Sequence, residues 1–210
     1  AGVTPATEDF ADADAEDVLA SLRAATNAMD EAEVTTGSRI LFITPTLKGV
    51  LDDFSLANPA RSNRVLERFS RIVEGPQTRF WSAIELNSGD GDQFGYSRAE
   101  GSYVKTEDTS VTPGKTYYTE SSGTYTKVSS PAAGSLSSYY ELVGAGAPIN
   151  FMVVERSAVI KFDKHVASRV FSPDELENLD SYMMKYRKYG IVELLDNKLD
   201  GVHVSCAPLA

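Results

Sequence analysis

The chain has 210 residues, 42% hydrophobic and 24% charged, enough to bury one core or two small ones without disulfides. Thirty acidic against 20 basic residues give a formal charge of −10, and the one locally basic run, residues 61–71, holds four arginines and one glutamate. A surface that grips nucleic acid through clustered cations is therefore not expected, nor is a membrane span, since no apolar run approaches the ~20 residues a bilayer needs.

Taken in order, residues 1–10 are polar and read as loose. Asp12 or Asp14 then offers a cap for a helix whose apolar stripe is Val18, Leu22, Ala25, Met29 and Ala32. Glu16 and Asp17 suit its first turn, where the helix dipole favours negative charge. Ser21, Thr26 and Asn27 form the opposite, polar face; Asp30, Glu31 and Glu33 read as a solvated end, and Gly37 as a left-handed cap. Residues 39–43 (RILFI) are a buried-type strand, followed by Thr44 as N-cap and Pro45 at the first helical position. The helix over 45–53 presents Leu47, Val50 and Leu51. A strand running into a capped helix is half of an α/β unit, but Thr44, Pro45, Thr46 and Leu47 include no glycine, which excludes a phosphate-cradling loop. Residues 54–64 read as irregular, 65–74 as extended, and 79–84 as a strand in which Trp81 serves core or interface.

A compositional break follows. Residues 87–92 (NSGDGD) are turn-rich, and Asp90 and Asp92 are too closely spaced for a calcium loop. Residues 95–146 are rich in Ser, Thr, Tyr and Gly and nearly devoid of aliphatics. Within them, 115–120 and 124–128 around the turn 121–123 make a hairpin, and 138–142 supplies a third strand. Tyr117, Tyr118, Tyr125, Tyr139 and Tyr140 are the candidate surface of this insert. Rigid, amphipathic tyrosines contact sugars or a host surface in one reading, and pair across strands to hold a small sheet together in the other.

The last third opens on 149–154 (INFMVV), a strand buried on both faces. Residues 158–162 are one helical turn or an extended rail; a mixed strand through Lys164 and His165 ends at Phe171, and Ser172, Pro173 and Asp174 turn the chain. The polar segment 175–188 places Leu176, Leu179, Tyr182, Met183, Tyr186 and, just beyond, Tyr189 at helix-like spacing. Two strand-like pieces, 191–195 and 202–206, close the chain. Cys206, the single cysteine, reads as a small apolar strand residue, and His203 points away from Val202 and Val204. No nucleophile sits beside a base and there is no Gly-x-Ser-x-Gly elbow. No catalytic, metal-ligating or cofactor-binding residue is assigned, and an enzyme is not expected.

The order of 149–160 (INFMVVERSAVI), Lys164 with His165, 171–174 (FSPD), 186–189 (YRKY), Asn197 with Lys198, and 201–203 (GVH) resembles the C-terminal part of major capsid proteins of tailed bacteriophages, in particular phages of Gram-positive bacteria. Residues 39–45 (RILFITP), 72–74 (IVE) and 76–80 (PQTRF) resemble the middle of the same family. The resemblance implies an α+β chain with the Hong Kong 97-like capsid fold: the axial domain plus part of the peripheral domain, with a Tyr/Thr-rich β insert. It implies a peripheral helix and sheet from 1–36 and 175–210, an axial domain over 37–174, and the insert at 95–146 projecting from it, with the segment after Phe171 as the boundary between two lobes. The implied function is a structural subunit of an icosahedral head, self-assembling through pentamers and hexamers into the shell that encloses the DNA. Its place is the virion, and the host cytoplasm during assembly. No sequence-specific nucleic acid, membrane or cofactor is implied. Candidate subunit-interface residues are Arg79, Trp81, Lys164, His165, Tyr186 and Arg187. The chain departs from the family in lacking the N-terminal arm, extended loop and spine helix, so it reads as a fragment, expected to be monomeric by itself. The alternative is a phage binding or decoration module that uses the Tyr-rich insert to contact a host surface or glycan.

Overall fold

The computed structural model describes residues 3–12, 14–58, 64–88, 95–112, 115–131, 136–175 and 180–209, with the backbone alone at residue 165. In chain order the elements are β1 (Ala6–Thr7), α1 (Ala15–Glu31), β2 (Arg39–Ile43), α2 (Pro45–Ala57), β3 (Arg71–Glu74), β4 (Ile84–Leu86), β5 (Tyr96–Arg98), β6 (Ser102–Lys105), β7 (Tyr117–Ser121), β8 (Thr124–Val128), β9 (Tyr140–Val143), β10 (Ile149–Glu155), β11 (Val159–Phe171), β12 (Met183–Leu194) and β13 (Val202–Cys206). The chain is α+β.

A five-stranded sheet in the order β1-β13-β10-β2-β3 carries the body. Alternation along its strands decides which residues are buried. Leu41 and Ile43 of β2 and Phe151 and Val153 of β10 face the helices and are fully buried. Val18, Leu22, Ala25 and Met29 of α1, with Leu47 and Leu51 of α2, pack on them in one core. Each such side chain contributes ~1.5–3 kcal/mol through removal from water. The opposite face carries Ile40, Phe42, Met152 and Val154, which line an open groove. β2, α2 and β3 form a strand–helix–parallel strand unit, completing the half read at residues 39–53.

Local signals account for most of the helix boundaries. Asp14 caps α1, its Oδ1 accepting from the backbone N–H groups of Glu16 and Asp17. The other end is not capped at Gly37. Val34 N–H donates to Met29 O and Glu33 N–H to Asp30 O, the paired bonds of a Schellman motif, with Glu33 in the left-handed region at φ 59°. Val34 packs against the core beside Met29, which supplies the hydrophobic contact that accompanies this motif. A side chain at that φ costs ~1 kcal/mol or more relative to glycine. Glu33→Gly is therefore expected to raise the unfolding free energy by ~0.5–1 kcal/mol in urea titrations, whereas Gly37→Ala, with nothing near its Cβ and φ outside the left-handed region, should change little.

Several elements differ from expectation for reasons of packing. Thr26 is buried and not on a polar face, because its Oγ1 is satisfied by Arg23 O and by Arg68 Nη1. Ala32 lies beyond the helix end and is exposed. Thr44 makes no side-chain cap bond, and α2 starts on Pro45 alone. α2 also runs on to Ala57, since Phe54 continues its apolar stripe onto the core. Residues 64–66 form a helical turn rather than a strand, from which Val65 drops into the core, with Phe69 following just after. Arg79 ends a 3-10 turn (Gln77–Arg79), and Trp81 makes only an isolated bridge to Pro148, so 79–84 is not a continuous strand. Residues 158–162 are a turn and a rail in succession, a 3-10 turn over Arg156–Ala158 leading into β11.

The largest difference is at 175–188, where no helix forms over the described residues: from Met183 the chain is β12, paired with β11 along its whole length. The intrinsic spacing is overridden because β11 offers a continuous ladder of backbone partners. Leu176 and Leu179 lie outside the described residues. Residues 172–175 follow β11 at the far end of the β11–β12 hairpin. α1 packs on β2 and β10 in one core, and β13 pairs with β10 in the same sheet, so elements of 1–36 and 175–210 meet those of 37–174 directly. Gly201, buried where the chain re-enters that sheet, has no room for a Cβ, which would lie 2.8 Å from Ala158 Cβ.

Candidate assembly surface

Among the described residues β11 and β12 form an antiparallel two-stranded ribbon that pairs with no other strand. Residues opposite each other share a face. One face carries Val166, Val170, Met184, Tyr186 and Val192; the other carries Ile160, Phe162, Phe171, Tyr189 and Ile191. Neither face is covered beyond the ribbon's base. Phe162, Val170 and Tyr186 are each 60% exposed, and Val192 67%. Two-stranded ribbons are marginal alone in water, and apolar rows of this length on both faces mark a surface built for contact.

Charge is laid over the same rows. The two strands hold six lysines and arginines against Asp163 and Glu193, a net +4 in a chain of −10. On one face Asp163 takes up part of it, 3.3 Å from Lys188 and 3.7 Å from Lys161. On the other, Arg169 and Lys185 lie over the Phe171 ring, 4.5 and 5.1 Å from its centre, a cation–π arrangement that holds both cations near the ribbon's far end.

Four of the six candidate interface residues fall on this ribbon. The register shifts between Asp163 and His165, so Lys164 is the extra residue of a bulge, and it is exposed. His165 pairs with Tyr189 in backbone register; its side chain lies outside the described residues. Tyr186 and Arg187 are exposed on opposite faces. Arg79 and Trp81 are not part of it. Trp81 sits half-buried where the insert leaves the body, its indole N–H donating to Thr78 O at 3.2 Å and the Arg98 guanidinium 5.1 Å above its ring. The exposed partners Ile160, Phe162, Met184 and Val192 were not singled out from sequence. The signal was there: Tyr, Ile and Val in 186–192 favour a strand, and Gly190 disfavours a helix by ~1 kcal/mol.

The insert is a four-stranded sheet in the order β6-β9-β7-β8, one strand more than expected. The five candidate tyrosines do not form an exposed surface, although Tyr96, on β5, is 68% exposed. Tyr117 and Tyr118 are 1% and 4% exposed, and Tyr125, Tyr139 and Tyr140 are half-buried. Tyr103, missed in the sequence, stacks on Tyr125 with centroids 3.9 Å apart and meets Tyr118 edge-on at 5.1 Å. Tyr125 meets Tyr140 edge-on at 5.2 Å. A sheet with few aliphatics has only its rings to pack, so they turn inward. On the other face Asp108 Oδ2 accepts from Tyr117 Oη at 2.7 Å and Lys115 Nζ at 2.9 Å, and Lys115 also reaches Glu141 at 3.1 Å.

The hydrogen bonds from Lys115 and Tyr117 hold the Asp108 carboxyl below its usual range, and those to Asp108 and Glu141 raise the Lys115 ammonium. Because Asp108 is depressed in the folded insert, its contribution is present above the ordinary carboxylate pKa near ~4 and is lost as pH falls through the depressed value. Tyrosine ring signals of the insert are expected to lose dispersion in that acid window before the body unfolds. Asp108→Asn should weaken the insert at neutral pH and make its stability less dependent on pH across that window.

Three groups of the body, Glu155, His203 and Cys206, are shifted by burial and by their neighbours. Burial pushes Glu155 up, but hydrogen bonds from Ser157 and Ser38 and the nearby Lys198 together hold it low. It ties the start of β2 to the ribbon's base through Ser38 and Ser157. Burial lowers His203, against a smaller opposing pull from Glu8; it stacks on Phe151 at 6.1 Å, on the side away from Val202 and Val204 as expected. Burial likewise raises the Cys206 thiol, which is enclosed in its strand. Among the described residues no three His, Cys, Asp or Glu are grouped to hold a metal, and no helix is long and apolar enough to cross a membrane. No family model, no curated protein and no solved structure matches the chain.

Proposed function

We propose that the chain is a structural subunit of a bacteriophage icosahedral head, a part of a major capsid protein with the Hong Kong 97-like fold, that assembles with copies of itself into the DNA-enclosing shell. The observation that carries this reading is the β11–β12 ribbon, whose two uncovered apolar faces stand outside the body's core. A subunit that ends in rings and shells needs surface of this kind, repeated once per copy. The ordered motifs at 149–160, 171–174 and 186–189 support the same reading, since they supply the central strand of the body and much of the ribbon. The acidic net charge suits a container wall that does not grip packaged DNA. In this reading the protein belongs to the virion, and to the host cytoplasm while heads assemble, with pentamers and hexamers as its partners. The insert is a folded ornament on the body, and its inward-facing tyrosines weigh against a decoration module that works through them.

Electron microscopy of the intact gene product expressed by itself tests the proposal. Closed shells or rings of five and six are the expected result; dispersed particles at every concentration would overturn it. Removing residues 97–142 should leave particles intact.

A further inference from the structure

Two parts of the chain carry net charge of opposite sign. Residues 1–33 hold nine Asp and Glu against one Arg, a net −8, and the ribbon strands hold +4. They lie on opposite sides of the five-stranded sheet. α1 covers the face that carries Leu41, Ile43, Phe151 and Val153, while the ribbon's base, at Val159, Val192 and Leu194, borders the groove on the face that carries Ile40, Phe42 and Met152. The attraction between them is therefore best satisfied between copies.

Both surfaces have the shape for it. Asp17, Ala24 and Glu31 recur every seven residues on the exposed side of α1, giving a stripe about 21 Å long with small side chains at its middle. β12 rises about 20 Å from Lys185 to Ile191, and this face carries a block of cations, Arg169, Lys185 and Arg187, flanked by Phe171 at the far end and by Tyr189, Ile191 and Phe162 toward the base, where Glu193 also sits. We propose that the ribbon of one copy docks this basic face on the acidic outer side of α1 in a second copy, an inference that rests on the assembly reading above. The two patches are different, so the contact is heterologous, the type that propagates from subunit to subunit and closes into rings. Apolar neighbours exclude water from the charged pairs, and charge complementarity sets orientation and suppresses wrong partners.

Sedimentation of the 210-residue chain at rising concentration tests this, with two charge-reversed variants and their mixture; contrary to the monomer expected from the resemblance, the unaltered chain should self-associate. Association is expected to weaken by about tenfold between 0.1 and 1 M salt, as the screening length falls from about 10 to about 3 Å. Arg169→Glu, Lys185→Glu, Arg187→Glu together, and Asp12→Lys, Asp17→Lys, Glu31→Lys together, should each abolish self-association while leaving far-UV circular dichroism unchanged. Mixed one to one, the two variants should associate again, because each supplies the surface the other has lost. Salt-independent association, or folded variants that associate like the unaltered chain, would overturn the docking and leave the shell reading standing. Absence of association at any concentration, or a mixture of folded variants that stays monomeric, would also overturn it. A duplex DNA included as a probe and bound through Arg169, Lys185 and Arg187 would overturn it in favour of a phosphate backbone. Whether shells form at all is judged separately, by microscopy of the intact gene product.

Discussion

Arg39→Met is expected to lower the unfolding free energy by ~3–5 kcal/mol, read from the urea midpoint at unchanged slope. Arg39 opens the strand β2 yet is fully buried, its guanidinium placed under the C-terminal end of α1. It donates to Val34 O at 2.6 Å, Thr35 O at 3.2 Å and Thr26 O at 3.3 Å, and lies 2.7 Å from the Asp30 carboxylate. A cation there answers the carbonyls of the loop just past the helix and the negative end of the helix dipole. Methionine fills similar volume but satisfies none of these groups. It leaves Asp30 with Arg68, at 3.1 Å and largely in solvent, as its remaining cation. Most of the loss is the cost of stranding buried partners. The double variant Arg39→Met, Asp30→Asn should consequently lose less than the sum of the single losses. A full sum would show that Asp30 and Arg39 act independently.

Phe151→Ala should cost a comparable ~3–5 kcal/mol by the same measurement. Phe151 lies on β10, between β13 and β2, fully buried where the Phe10 ring (6.4 Å) and the His203 ring (6.1 Å) meet the helix-covered core. Backbone ladders on both sides hold β10 in place, so the cavity cannot close by strand movement. Phe162→Ala, the same change in the ribbon, should alter stability by well under ~1 kcal/mol because the ring is already in water. Equal losses at the two sites would mean that the ribbon is folded into the core in solution.

Much of the body is legible in local sequence. The strands at 39–43 and 149–155 are unbroken apolar runs, α1 declares itself by Asp14 and its stripe, and the hairpin at 117–128 by Ser122 and Gly123 between Tyr- and Thr-rich arms. Each of these signals comes from residues within about a dozen positions of one another. The candidate surface was half legible. Lys164, His165, Tyr186 and Arg187 are legible as polar or aromatic surface, but the helix-like spacing of 175–188 hides the continuous rows from Ile160 and Phe162 across to Ile191 and Val192. Tyr117 and Tyr118, adjacent in β7 and so on opposite faces of their sheet, are both buried rather than exposed.

The sequence by itself determined the starts of α1 and α2, the buried strands at 39–43 and 149–155, that the charge is acidic overall, and that a Tyr-rich insert interrupts the body. Those properties are set by neighbouring residues and by composition. Only the tertiary structure decided that Arg39 is buried beneath α1, that 183–194 is a strand, that the tyrosines face one another, and that a basic ribbon and an acidic helix lie on opposite sides of one sheet. Each of these depends on a partner distant along the chain: a helix end for Arg39, β11 for β12, and ring on ring in the insert. A local pattern states what a segment can bury or bond; the partner it meets decides which of those possibilities is used.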